Sequence, residues 1–204
     1  MTKIAIIGSG SHTRSSINLL LDNFDKEDVQ IYDDSYEEGR QEKINSILLA
    51  GKISDIHPSQ KIFLSIGDNE LRKKYFLKFK NQLIKDTSSH RASFQERGVT
   101  FGIANQVFSN SYINSQVIIG DNNIINTGAI IEHEVKLGSH NHISVGAKVC
   151  GRSSIGSMCF ICAGAIISDK LSICDNVVVG AGSVVICDIN EPGIYAGNPV
   201  KKIK

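Results

Sequence analysis

One short segment of the 204-residue chain gathers side chains that could move a proton: Glu132-His133-Glu134. An imidazole titrates near neutral pH, which makes it the natural general base there. A neighbouring carboxylate can hold one ring nitrogen, fix the tautomer and raise the basicity of the other nitrogen. Either Glu132 or Glu134 could serve. The plainer reading of any surface histidine is a solvated side chain, and the flanking carboxylates weigh against it. His142 follows nine residues later, in Ser139-His140-Asn141-His142.

A second group lies near the start of the chain. Gly8-Ser9-Gly10-Ser11-His12-Thr13 follows the apolar run 3–7, Asp33-Asp34 follows Val29-Gln30-Ile31-Tyr32, and Gly67-Asp68-Asn69 follows Lys61-Ile62-Phe63-Leu64-Ser65-Ile66. Each run reads as a buried strand. Helical stretches are expected with Ile17, Leu20, Leu21 and Phe24 on one side, and from Arg72 to about Lys80. Strand, helix, strand, linker, strand, helix implies a small parallel sheet, about half of a dinucleotide-binding fold. Ligands of such sheets sit beyond the carboxyl ends of the strands. There the Gly8/Gly10 loop could offer amides to phosphate, and an acidic residue could accept from ribose or base. The full G-x-G-x-x-G fingerprint fails at Thr13, and no second mononucleotide half follows. A mononucleotide carrier such as a nucleotide-sugar therefore fits better than NAD. The bland alternative is that the glycines only make a tight turn.

Cys159-x-x-Cys162 raises the question of zinc or redox chemistry. No second pair and no suitably spaced histidines accompany it, so the thiols read as small packing residues and no metal is expected.

These residues are carried by a repeat. Steps of six from Phe101 meet Val107, Ile113, Ile119, Ile125, Ile131, Leu137, Ile143, Val149, Ile155, Ile161, Ile167, Ile173, Val179 and Val185, and stop at Glu191. Two positions before each, most residues are small or short. Gly128, Gly146, Gly164 and Gly182 recur every eighteen residues, as do Gly120, Gly138 and Gly156. Three short strands joined by three tight turns give that period, with glycine supplying the positive φ of the turns. Each inward aliphatic stacks on its counterpart one coil away. An ordinary all-β domain would show a period of two and irregular turns instead. The series predicts a parallel β-helix from about 99 to 188. In that frame His133 lies at or beside a corner. Nine residues are half a coil, so His133 and His142 leave opposite sides of one column. They can share a site only across neighbouring columns, and a closed ring of three would suit a three-sided column.

The expected organisation is an α/β unit over residues 1–90 and a β-helix with a C-terminal tail over 91–204. The tail, Glu191 to Lys204, reads as a basic extension or as a segment closing on an anionic ligand. With net charge +1 and a pI near 7.7 there is no basic field to recruit nucleic acid. The N-terminal apolar run is too short for a signal sequence, and no stretch reaches the length of a membrane span. All five cysteines lie after residue 149, which reads as reduced thiols in a cytoplasmic protein.

The hexapeptide series, Asn126-Thr127-Gly128-Ala129-Ile130-Ile131-Glu132-His133-Glu134, His142-Ile143-Ser144-Val145-Gly146-Ala147 and Gly197-Asn198-Pro199-Val200-Lys201 resemble the bacterial nucleotide-amino-sugar acetyltransferases. These include the PglD-type bacillosamine, perosamine and viosamine enzymes and the NeuD-like sialic acid O-acetyltransferases. Gly8-Ser9-Gly10-Ser11-His12, Tyr32-Asp33-Asp34 and Ser65-Ile66-Gly67-Asp68-Asn69-Glu70-x-Arg72 extend the likeness over nearly the whole chain. The resemblance implies left-handed coiling, a homotrimer, and acetyl transfer from acetyl-CoA to the 4-amino group of a UDP- or TDP-linked 4-amino-4,6-dideoxy sugar. O-acetylation of a sialic-acid-type sugar is the alternative. It implies His133 as general base with Glu134 orienting it. His142, Gly151, Ala163 and Ala181 would lie along acetyl-CoA, and Gly8, Gly10, His12, Asp33, Asp34, Ile66 and Gly67 would hold the nucleotide-sugar. Cys162 stands where the family often has glycine, and Thr13-Arg14 where small residues are usual.

Overall fold

A computed structural model describes residues 3–39 and 42–204. The chain divides into two compact units, Met1–Asp86 and Thr87–Lys204.

The first unit is built on a sheet in the order β3-β4-β2-β1-β5. Its elements are β1 (Ile4–Ile7), α1 (Ser11–Ser16), α2 (Asn18–Leu21), β2 (Val29–Tyr32), β3 (Lys43–Ile44), β4 (Ile47–Gly51), β5 (Lys61–Leu64) and α3 (Asn69–Lys78). β1 lies between β2 and β5 and pairs parallel with both. Its four residues are wholly buried, as expected of a strand covered on both faces. The stretch read as a linker contains β3 and β4. They form an antiparallel pair, and β4 adds itself parallel to β2. The first helix is also shorter than expected. It breaks at Ile17 into α1 and α2, with Ile17, Leu19 and Leu20 packed inside.

The second unit is a left-handed parallel β-helix of three sheets. Face A holds the strands from Phe94–Gln95 to Val184–Val185, face B those from Thr100–Phe101 to Ser172–Ile173. Face C runs from Ser88–Ser89 through His142–Ile143 to Gly193–Gly197, where Val200–Lys202 closes it antiparallel. Winding thus begins before the hexad series and ends after it. At the first coil the places in register with the inward row hold Ser89 and the exposed Gln95, which an apolar count cannot register. From Val107 to Val185 every sixth residue is buried in one continuous core.

The two glycine registers do different work. Gly128, Gly146, Gly164 and Gly182 turn the corner between faces C and A at φ between 65° and 67°. At the other two corners the same left-handed conformation is taken by side-chain-bearing residues, among them Gln116, Glu134, Arg152 and Lys170 between A and B, and Asn122, His140 and Met158 between B and C. Gly120, Gly138 and Gly156 have no positive φ. They are small because the next coil leaves no room: a Cβ on Gly138 would stand 2.7 Å from the backbone C and O of Gly156.

The small positions on face C hold an unanticipated ladder. Asn105 Oδ1 accepts from the Asn123 backbone at 2.8 Å, Asn123 Oδ1 from Asn141 at 2.8 Å, and Asn141 Oδ1 from Cys159 at 2.6 Å. Cys159 ends the row. Burial pushes its thiol up to about 11, and Sγ donates to the Cys174 carbonyl at 3.2 Å.

The two glycine roles separate by mutation. Gly146→Ala meets open space and is expected to cost only the left-handed strain, about 1 kcal/mol. Gly138→Ala must push two coils apart and is expected to lower Tm further. An equal or smaller loss for Gly138→Ala in thermal denaturation refutes the assignment.

Candidate active site

His133 sits at the corner between faces A and B, two residues past the inward Ile131. Its Nδ1 lies 3.0 Å from Glu134 Oε2, with both side chains about half exposed. A carboxylate only accepts, so Nδ1 carries the hydrogen and Nε2 the lone pair. Glu132 is occupied elsewhere: Asn114 Nδ2 donates to its Oε2 at 2.6 Å from the preceding coil. Of the two carboxylates that could have oriented the imidazole, Glu134 does so.

The ring rests on the next coil. A Cβ on Gly151 would stand 2.7 Å from His133 Cε1 and Nε2. The Arg152 amide donates to the His133 carbonyl at 2.9 Å and locks the two coils together. The structure thus puts Gly151 beneath the His133 ring. Spacing alone would have found it, since 151 is 133 plus one coil.

Cys150 comes to the same corner, one coil from Glu132. Its thiol is raised, first by burial, then by Glu132 and Asp169. That is the opposite of an activated nucleophile.

His142 lies on face C, across the column from the His133 corner, as the half-coil spacing requires. It is buried, with Nε2 3.0 Å from Asn126 Nδ2 and its ring 4.7 Å from that of Phe160. Donation from the Asn126 amide assigns the hydrogen of His142 to Nδ1. Ala163 and Ala181 occupy a third place, the exposed corner between faces C and A, where the Gly182 amide donates to the Ala163 carbonyl at 2.9 Å. Within one chain, then, the residues assigned to acetyl-CoA are spread over three sides of the column.

In the first unit the loops after β1, β2 and β5 converge at the carboxyl ends of the strands. Gly8 takes φ 112°, which a side chain would make strained, and a Cβ there would meet the Ser65 carbonyl oxygen at 2.7 Å. Thr13, where the dinucleotide fingerprint has its third glycine, is fully buried and holds this junction. Its Oγ1 donates to the Gly8 carbonyl at 2.9 Å and reaches the Ser65 carbonyl at 3.4 Å. Ser16 and Ser65 share a 2.5 Å hydrogen bond just behind it. Asp33 ties the second loop to the first: Oδ2 accepts from the Ser9 amide at 2.7 Å, and Oδ1 from the Ser35 amide and hydroxyl at 2.9 and 2.7 Å. Burial alone would raise the Asp33 carboxyl, but these donors hold it below the usual range. Asp34 accepts from the Ile53 amide at 3.3 Å and the Tyr75 hydroxyl at 3.4 Å. His12 lies alongside Gly67, whose Cβ direction points at the imidazole from 3.8 Å. Ile66 is buried beneath, and Gly10 is exposed with open space around it.

The packing of His133 on Gly151 yields a direct test. Gly151→Ala is expected to lift the imidazole off its floor and out of the Glu134 hydrogen bond. In the wild type, 15N spectra of His133 should report the Nδ1–H tautomer. In Gly151→Ala, as in Glu134→Ala, that tautomer should no longer dominate, whereas an unchanged spectrum contradicts the contact.

Residues 3–79 match the family model of the PglD N-terminal domain. Along its full length the chain is 26% identical to a mutant of perosamine N-acetyltransferase from Caulobacter crescentus, solved in complex with CoA and GDP-perosamine. The TM-score is 0.89, and 100% of this chain and 98% of that one are covered. The acetyltransferase domain of PglB from Neisseria gonorrhoeae FA1090, in complex with acetyl coenzyme A, is 24% identical with a TM-score of 0.86 over 98% of both chains. WeeI from Acinetobacter baumannii AYE is 19% identical with a TM-score of 0.87 over 100% of both. At these lower identities the likeness is one of fold. No curated protein matches by sequence. A match to the PglD N-terminal domain thus stands ahead of a left-handed β-helix, in a chain that is similar along its whole length to a perosamine N-acetyltransferase.

Proposed function

We propose that the protein transfers an acetyl group from acetyl-CoA to the 4-amino group of a nucleotide-linked 4-amino-4,6-dideoxy sugar. The observation that carries this reading is the His133–Glu134 pair on its glycine floor, in a chain resembling a perosamine N-acetyltransferase throughout its length. The amine nitrogen attacks the thioester carbonyl carbon. His133 Nε2 takes the amine proton as the C–N bond forms, and Glu134 stabilises the resulting imidazolium through Nδ1–H. The C–S bond then breaks, coenzyme A leaves as the thiolate, and the imidazolium returns the proton to it. A backbone amide or small dipole near the interface between columns supports the oxyanion. Alignment of two bound substrates supplies much of the acceleration. An acyl-cysteine route is disfavoured, because the thiol at this corner is pushed away from its reactive form.

In this reading the loops around Gly8, Gly10, His12, Asp33, Asp34, Ile66 and Gly67 hold the carrier nucleotide. Resemblance favours UDP or TDP, whereas the Caulobacter relative was solved with GDP-perosamine. His142, Gly151, Ala163 and Ala181 lie along acetyl-CoA. Since they fall on different sides of one column, one acetyl-CoA meets them all only between neighbouring columns, and a ring of three closes the set.

Mass spectrometry of acetyl transfer across UDP-, TDP- and GDP-linked amino sugars tests the substrate. Transfer to a free sialic-acid-type hydroxyl in its place would overturn the N-acetylation reading. His133→Ala is expected to lower kcat about 10²–10⁴-fold, with little change in acetyl-CoA affinity. An unchanged kcat removes His133 from the chemistry. Light scattering during turnover should find a trimer, and a fully active monomer would refute the shared site.

A further inference from the structure

Arg72 is fully buried, on the first turn of α3. Three physical costs attach to that placement. A buried cation loses its hydration, a long side chain loses its rotamer freedom, and a positive charge near a helix N-terminus opposes the helix dipole. Burial lowers the guanidinium to about 9, partly offset by Asp68, so it remains charged at neutral pH. An apolar side chain of similar length would fill the space without these costs.

What the cation holds is the loop that ends β5. Nη1 donates to the carbonyls of Ile66 at 3.1 Å and Gly67 at 3.2 Å, and Nη2 donates to Asn69 Oδ1 at 2.7 Å. The peptide unit is planar and trans, so a carbonyl and the amide that follows it point in opposite directions. Drawing the Ile66 and Gly67 carbonyls onto Arg72 turns the amides of Gly67 and Asp68 away from the guanidinium. The planar fork can hold two carbonyls and an amide oxygen at once, which a lysine ammonium cannot match in geometry. The same loop is braced from its other end by Thr13 and Ser16 on Ser65, and His12 lies against Gly67.

We propose that Arg72 is a positioning residue for the nucleotide-linked sugar: by pinning the Ile66 and Gly67 carbonyls it sets the direction of the amides that this loop presents to the carrier. The inference rests on the reading that the first unit holds the carrier nucleotide. Arg72 touches no reacting atom, so its loss should be felt in carrier binding.

The test compares Arg72→Lys, which keeps the charge and loses the fork, with Arg72→Met, which removes the charge. For both, KM for the nucleotide-linked amino sugar is expected to rise about ten- to a hundredfold. The change in KM for acetyl-CoA and in kcat should be much smaller. Calorimetry with the matching nucleoside diphosphate should show the same loss of affinity, smaller for Arg72→Lys than for Arg72→Met. If Arg72→Met fails to fold, Arg72→Lys carries the comparison. Folded variants with the wild-type sugar KM and only a lowered Tm would overturn the positioning role and leave the carrier reading standing. Wild-type protein that neither binds the nucleoside diphosphate nor saturates with the nucleotide-linked sugar would overturn both, and that result is read without any variant.

Discussion

The constraint on which the β-helix depends is that each residue lies upon the residue eighteen places later. The column has no second layer to absorb misfits. Its backbone groups pair coil to coil, as when the Gly138 amide donates to the Ile155 carbonyl at 2.8 Å, and its core is one large aliphatic row per face with smaller side chains such as Ala129, Val135 and Ala147 between. Every surface row therefore becomes a stacking problem in one dimension. Gly120, Gly138 and Gly156 solve it by having no side chain. Asn105, Asn123 and Asn141 solve it by handing each side-chain oxygen to the next backbone amide. On the same corner Ser139, Ser157 and Asp175 run the other way, each side-chain oxygen accepting from the amide of the coil before it. Buried polar groups are generally satisfied, and in these rows stacking supplies the donor for each side-chain oxygen.

That constraint decides what could be read from the sequence. The sixfold apolar series is legible because burial in a thin column leaves no latitude at the inward places. The glycine registers were equally visible, but their meaning was not. A period of eighteen says that two glycines stack; it does not say whether φ or space demands them. The left-handed corners at Glu134, His140 and Met158 carry no glycine signal, because packing on the coils around them offsets the roughly 1 kcal/mol of strain. The hairpin of β3 and β4 was missed for the opposite reason. Its strands are short and half-exposed, and they add to the sheet edge through backbone pairing, which leaves little trace in side-chain pattern.

The two candidate sites differ in legibility in the same way. His133 and Glu134 are adjacent, so their pairing could be anticipated. The supports of the corner, Asn114 under Glu132 and Gly151 under His133, are each one coil distant and emerge only when eighteen is added or subtracted. The loops of the first unit have no such arithmetic. Thr13 breaks a glycine fingerprint and appears there as a defect. In the folded chain it replaces close approach with a hydroxyl that bonds two loops at once, a function that only the juxtaposition of Gly8 and Ser65 reveals.

The corner also explains why the imidazole and its carboxylate can be sequence neighbours at all. In an extended strand successive side chains point to opposite faces, so an adjacent histidine and glutamate would be held apart. The reversal at Glu134, with φ of 60°, breaks that alternation and lets Oε2 come within 3.0 Å of Nδ1. A glycine at 134 would relieve the backbone, as glycine does at the corner between faces C and A, but it would remove the carboxylate. Gln116, Arg152 and Lys170 take the same left-handed conformation along this corner, so the strain belongs to the whole row and the carboxylate beside the imidazole is what sets position 134 apart.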